Sequence, residues 1–228
     1  MSDISNAPAP AVNLPGYWEE IYQRGDAGWD LGRPTPAFRR LLDHGQFAPG
    51  RMIVLGAGRG HDAREFARRG FAVTAVDFAA DAVRDMRALA DPHEPVEILQ
   101  SDIFDLPKEL DGAFDYVLEY TCYCAIHPLR RAEYADVVAR LLRSPEPAEG
   151  KPGGTYIALA FPLDDRESGP PFPVSLKEIL SLFGEKGFDL LSRETPSDSA
   201  PQRRGREELL IFQFSRRANP STLRPATG

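Results

Sequence analysis

The sequence predicts an α/β fold: a doubly wound domain whose mainly parallel sheet is covered by helices on both faces. Three observations carry that prediction. Strand-sized apolar runs alternate with helical segments of roughly ten residues from Arg51 onward, the pattern of right-handed β–α–β crossovers. The first run closes on a glycine-rich turn, Gly56-Ala57-Gly58-Arg59-Gly60. The second closes on a carboxylate, Asp77, 21 positions after Gly56. Doubly wound domains bind ligands at the carboxyl ends of their strands, so the functional residues are sought just after each strand.

Taken in order, Tyr17–Arg24 and Pro36–His44 read as short helices ahead of the first strand. Arg51–Leu55 is a compact apolar run, the profile of a strand buried on both faces. His61–Arg69 is helical and stops at Gly70. Phe71–Val76 is the second strand, Ala80–Ala90 a helix, and Val96–Leu99 the third strand, leaving through Gln100-Ser101-Asp102. Phe114–Leu118 is the fourth strand, followed by an irregular stretch and a helix over Leu129–Leu142. Gly154–Phe161 is the fifth strand, Ser175–Lys186 a helix, and Phe188–Arg193 and Glu208–Phe214 the last two strands. Residues 1–16 and 218–228 have little periodic pattern and are expected to be tails, leaving 17–217 as one domain.

Composition narrows the function. The chain has 228 residues, 27 Lys+Arg against 34 Asp+Glu, and a net charge of −7. That balance argues against binding nucleic acid or an anionic membrane without sequence preference, which needs clustered positive charge. The two cysteines, Cys122 and Cys124, are one residue apart, too close for an unstrained disulfide and too few for a zinc site. The histidines are at least 17 residues apart, so no metal pattern is formed. The amino terminus lacks an apolar signal region, and the expected compartment is the cytoplasm.

The strand ends carry the chemistry. Closely spaced glycines let the backbone turn sharply and approach a ligand aimed at a helix N-terminus. A carboxylate at the end of the second strand can accept both hydroxyls of a ribose; capping the following helix is its bland alternative. A dinucleotide fingerprint wants a third glycine where this chain has His61. Asp102, after the third strand, is placed to accept from an exocyclic adenine amine, with the Ile103 backbone beside it; a solvated turn residue is the alternative. Two acids suit an adenosine that carries no phosphate. S-adenosylmethionine is such a molecule. The Arg203-Arg204-x-Arg206 run reads as a solvated charge cluster.

With these residues in hand the chain resembles the thiopurine S-methyltransferase superfamily, most closely its thiol and halide methyltransferase branch, over about Tyr17 to Arg216. The motifs are Trp18-Glu19-Glu20-x-Tyr22, Gly28-Trp29-Asp30-x-Gly32-Arg33-x-Thr35-Pro36, Val54-Leu55-Gly56-Ala57-Gly58-x-Gly60-His61-Asp62 and Val76-Asp77. Ser101-Asp102-Ile103-Phe104, Cys124-Ala125-Ile126-x-Pro128 and Gly169-Pro170-Pro171-Phe172 follow in order. The resemblance implies a seven-stranded Rossmann-like class I methyltransferase fold with an antiparallel last strand, and S-adenosyl-L-methionine as cofactor. It implies that Trp18 and Trp29 lie in a segment closing over the cofactor, within lid helices spanning 17–45. It further implies that Gly56 lines the methionine part, Asp77 holds the ribose, Asp102 and Ile103 flank the adenine, and Tyr120 completes the wall. Tyr22 stands where the family often has a third tryptophan. Tyr120-Thr121-Cys122-Tyr123-Cys124 replaces the family's phenylalanine-rich sequence, a departure that bears on the methyl acceptor.

Methyl transfer from a sulfonium to a small sulfur or halide nucleophile needs no obligatory base, so no catalytic residue is assigned; alignment and exclusion of water supply the rate. The partner is then a small-molecule methyl acceptor; the sequence leaves the oligomeric state open, a monomer included. The competing functions are a nicotinamide-dependent oxidoreductase and a non-catalytic S-adenosylmethionine-binding regulator.

Overall fold

The computed structural model describes residues 11–93 and 95–215. Its strands are β1 (Arg51–Leu55), β2 (Ala72–Asp77), β3 (Val96–Gln100), β4 (Tyr116–Glu119), β5 (Thr155–Ala160), β6 (Phe188–Glu194) and β7 (Glu208–Phe214). Its α-helices are α1 (Pro15–Arg24), α2 (Pro36–Asp43), α3 (His61–Arg68), α4 (Ala80–Ala88), α5 (Arg131–Leu141) and α6 (Leu176–Glu185). The strands form one seven-stranded sheet in the order β3-β2-β1-β4-β5-β7-β6. β1 to β5 pair in parallel, and β7 runs antiparallel to both β5 and β6. This is the Rossmann-like class I methyltransferase architecture.

The two-residue side-chain period of a strand splits the core into two layers. On one face Ile53, Leu55 and Val117 pack with Tyr134 and Val138 of α5 and Phe183 of α6. On the other, Met52, Val54 and Leu118 pack with Phe38 of α2 and Phe66 of α3. Because β1 is buried on both sides beyond Arg51, its sequence reads as a continuous apolar run. The strand order reverses between β1 and β4, and the crevice at that reversal is where such folds take ligands.

Two expected boundaries move. Residues 1–10 and 218–228 lie outside the described residues, but residues 11–16 are not a tail: Ala11–Asn13 form a 3-10 turn, Val12 is buried, and α1 begins at Pro15. Nor is α2 a lid helix, because Ala37, Phe38 and Leu41 are each no more than 2% exposed in the core. From Val12 to Thr35, residues of the N-terminal segment line the crevice. Among the described residues no helix is long and apolar enough to cross a membrane.

Candidate cofactor and active site

The turn after β1 runs through the left-handed region, with φ of 60°, 56° and 71° at Gly56, Gly58 and Gly60. A Cβ on Gly56 would sit 2.9 Å from both Cβ and Sγ of Cys122. Only glycine satisfies both demands there. The turn delivers the chain to the N-terminus of α3. Asp77, the last residue of β2, ties that turn down: its Oδ2 accepts from the Gly58 N–H at 2.8 Å and its Oδ1 from the Ala79 N–H at 3.0 Å. Burial pushes its carboxyl above the ordinary value. The Phe78 N–H is a third backbone donor to this carboxylate, which leaves it acceptor capacity for one further donor. Asp102 caps the 3-10 turn Ile103–Asp105 by accepting from the Phe104 N–H at 2.9 Å.

The N-terminal segment lies over these strand ends. Trp18 and Tyr22 of α1 meet Trp29 edge-on, with ring centroids 5.4 and 5.5 Å away. The Trp18 indole donates to the Val12 carbonyl at 2.9 Å and the Trp29 indole to the Tyr22 hydroxyl at 3.3 Å. Glu19 accepts from the Ala80 N–H at 3.1 Å, so α1 supplies a cap to α4. Further on, Asp30 accepts from the Gly32 N–H at 2.7 Å and from the Arg59 guanidinium, and lies 3.3 Å from His61 Nε2. Its interaction with His61, helped by Gly32 and Arg59, holds its carboxyl well below the usual range despite burial. Thr35 donates both its N–H and its hydroxyl to Asp62, at 2.6 and 2.8 Å.

The third wall follows β4. Tyr120 donates its hydroxyl to Glu207 and accepts from Arg203. Arg203 also donates to the carbonyls of Trp29 and Gly28, at 2.6 and 3.3 Å, and its guanidinium lies over the rings of Tyr120 and Phe161, 5.0 and 5.1 Å from their centroids. Burial holds the thiols of Cys122 and Cys124 and the phenol of Tyr120 above their ordinary values.

These walls enclose a cavity of about 610 Å³, within the range of small-molecule sites. Trp18, Trp29, Gly56 and Asp77 line it, as do Asp102, Ile103 and Tyr120; these are the seven candidate cofactor residues of the sequence, and Tyr22 joins them. The donor and acceptor set fits an adenosine with a cationic tail: two carboxylates at adjacent strand ends, a glycine turn, and aromatic faces.

The thiopurine S-methyltransferase profile matches residues 14–217. The chain belongs to the thiopurine S-methyltransferase family. A probable thiol methyltransferase of Arabidopsis thaliana is 33% identical over 201 residues, spanning 86% of this chain and 84% of the relative. A thiocyanate methyltransferase of the same plant is 30% identical over 198 residues, spanning 85% and 82%. Among solved structures, the Burkholderia thailandensis 1,6-didemethyltoxoflavin-N1-methyltransferase, with bound 1,6-didemethyltoxoflavin and S-adenosylhomocysteine, superposes with a TM-score of 0.68 at 19% identity. It covers 94% of this chain and 98% of that one, and at that identity it speaks for the fold. This member of the family is an S-adenosylmethionine-dependent methyltransferase, which sets aside the nicotinamide oxidoreductase and the non-catalytic regulator.

Set against this thiopurine S-methyltransferase family member's geometry, one sequence reading reverses. Arg203 is not part of a solvated charge run; it is 2% exposed and lines the cavity. Its partners lie 83 to 175 positions away in sequence, so no local pattern discloses them. Thr121, Cys122 and Cys124 also line the cavity; the signals for them are their place directly after a strand and their departure from the family's phenylalanine-rich sequence.

Proposed function

We propose that this enzyme methylates a small, soft sulfur-centred anion, such as a thiolate or thiocyanate, by in-line displacement, with a halide as the alternative of the same charge. Asp77 takes the ribose hydroxyls, Asp102 and the Ile103 backbone the adenine, and Gly56 the methionine part; Trp18, Trp29 and Tyr120 form walls. When bound, S-adenosylmethionine supplies a methyl group on a sulfonium cation, whose leaving group needs no protonation. The observation that carries the acceptor class is Arg203, a guanidinium buried at an aromatic wall. A buried cation whose own hydrogen bonds go to two carbonyls and a phenol still favours an incoming anion over a neutral, strongly hydrated acceptor.

The groups beside Arg203 are unsuited to act as a base. The Tyr120 phenol stays protonated and is committed to Glu207. The Cys122 and Cys124 thiols are likewise held protonated by burial, which keeps them from competing for the methyl group, since the thiolate is the nucleophile. None of these three groups takes a proton from the acceptor, which in the proposed reaction arrives ionised. Relatives named for thiol and thiocyanate methylation support the same reading.

The test is methyl-labelled S-adenosylmethionine with a panel of thiols, sulfide, thiocyanate, halides and thiopurines across pH. Label should pass to the sulfur nucleophiles, the rate for each thiol rising with its own ionisation while thiocyanate stays flat. Transfer confined to nitrogen or oxygen acceptors would overturn the proposal.

A further inference from the structure

We propose that Arg203 is a positioning residue for methyl transfer: it holds the main chain of Gly28 and Trp29 against Tyr120, so that covering the cofactor and completing the acceptor wall become one event. The inference rests on the cavity holding the cofactor under Trp18 and Trp29 and the acceptor beside Tyr120, and it is separate from the identity of the acceptor.

The argument starts from what a buried cation requires. A guanidinium that is 2% exposed needs its charge compensated. The hydrogen bonds of Arg203 go to two carbonyls of the N-terminal segment and one phenol, not to a carboxylate. Two aromatic faces, Tyr120 and Phe161, and the buried Glu207 carboxylate on the far side of the Tyr120 hydroxyl supply the rest. If the segment lifts, Arg203 loses both carbonyls at once. If Arg203 is displaced, the segment loses its tie to the β4 and β7 side of the crevice.

The opposite side is tied independently. Asp30, next in sequence to Trp29, is bound by Arg59 of the glycine turn, and the Trp29 indole by Tyr22. Residues 28–30 therefore bridge the cofactor turn and the acceptor wall, with a cation at each end. Displacement in line needs nucleophile and methyl held together without water, and a strap fixed at one end does neither. Arginine suits the inner end because one planar fork reaches three acceptors; a lysine ammonium on a flexible stem does not.

The protein carries its own reporter. Its two tryptophans are Trp18 and Trp29, both in the segment, so indole fluorescence reads the segment alone. Acrylamide quenching of the full-length enzyme should fall when S-adenosylhomocysteine is added. In Arg203→Lys the free enzyme should quench at least about twofold more and respond less to the ligand. Its kcat should fall about 10- to 100-fold while the acceptor KM moves less than threefold. Tyr120→Phe keeps the carbonyl bonds and should lie between wild type and Arg203→Lys, which preserves the test if the latter does not fold. Wild-type quenching in Tyr120→Phe or in folded Arg203→Lys would overturn the proposal. So would a raised acceptor KM with kcat and quenching unchanged, which would make Arg203 a direct acceptor contact. Quenching of the free enzyme needs no acceptor, so this test reads even if no thiol is turned over.

Discussion

Asp77 has two duties for one carboxylate: it anchors the glycine turn through Gly58, with Phe78 and Ala79 also donating to it, and it lines the cavity with the acceptor capacity left over. In the proposed ribose role, Asp77→Ala removes charge-assisted hydrogen bonds, each worth on the order of 1.5–3 kcal/mol. Calorimetry with S-adenosylhomocysteine should therefore show affinity reduced by at least about tenfold. Unchanged affinity would return Asp77 to a structural role. Gly56→Ala attacks the same corner through sterics: a Cβ at φ of 60° and 2.9 Å from Cys122 should cost about 1–3 kcal/mol of stability, read as a lower urea midpoint. Both residues were legible in the sequence because spacing after a strand is a local signal. Arg203 was not, since an arginine-rich run looks alike whether its side chains face water or a distant carbonyl. Glu119 was missed for a related reason: a charge directly after an apolar run looks like a solvent-facing exit from the strand, yet Glu119 is still paired in β4 and 2% exposed.

At the scale of elements, most of the fold could be read directly, and the exceptions have causes. Arg51–Leu55 and Glu208–Phe214 appear with the expected bounds because continuous apolar runs mark buried strands. The helix expected over Leu129–Leu142 is divided into a 3-10 turn, Pro128–Arg130, and α5. The N-terminal segment is where the reading changes the experiment. Because Val12 is buried and its carbonyl holds the Trp18 indole, deleting residues 1–16 should weaken S-adenosylhomocysteine binding roughly three- to tenfold, the worth of one such hydrogen bond and a little apolar contact. Deleting residues 1–30 also removes Trp18, Tyr22, Trp29 and Asp30, and should abolish measurable binding while the domain stays folded, since the core side chains of α2 remain. Loss of folding, or a fall of several kcal/mol as for buried core aromatics, would make these residues core packing. In the intact enzyme, trypsin should cut after Arg24, exposed at the end of α1, and the ligand should suppress that cut.

For the molecule as a whole, the sheet that presents the site also buries a charge beneath it. The topology was predictable because each strand–helix alternation admits one handedness; the electrostatics of the interior were not, because they depend on which residues meet. Glu119 sits at the inner end of β4, accepting from the Tyr123 N–H at 2.9 Å. Burial raises its carboxyl to about 7, against the pull of the Tyr123 and Cys122 amides. The neighbouring thiols and phenols of Cys122, Cys124, Tyr134 and Tyr156 are themselves held protonated, which leaves Glu119 as the member of that cluster to titrate near neutrality. The folded value lies above the unfolded one, so the native state binds the extra proton. The contribution of Glu119 to stability is therefore complete below the ordinary carboxylate range and is lost as pH rises through about 7. Glu119→Gln keeps an oxygen for the Tyr123 amide and removes the titration. Relative to this variant, the wild type should lose roughly 2–3 kcal/mol of unfolding free energy between about pH 5 and pH 8, measured by urea unfolding at each end. A constant difference between the two proteins, or one that widens in favour of the wild type as pH rises, would show that the Glu119 carboxyl is ionised in the folded enzyme throughout.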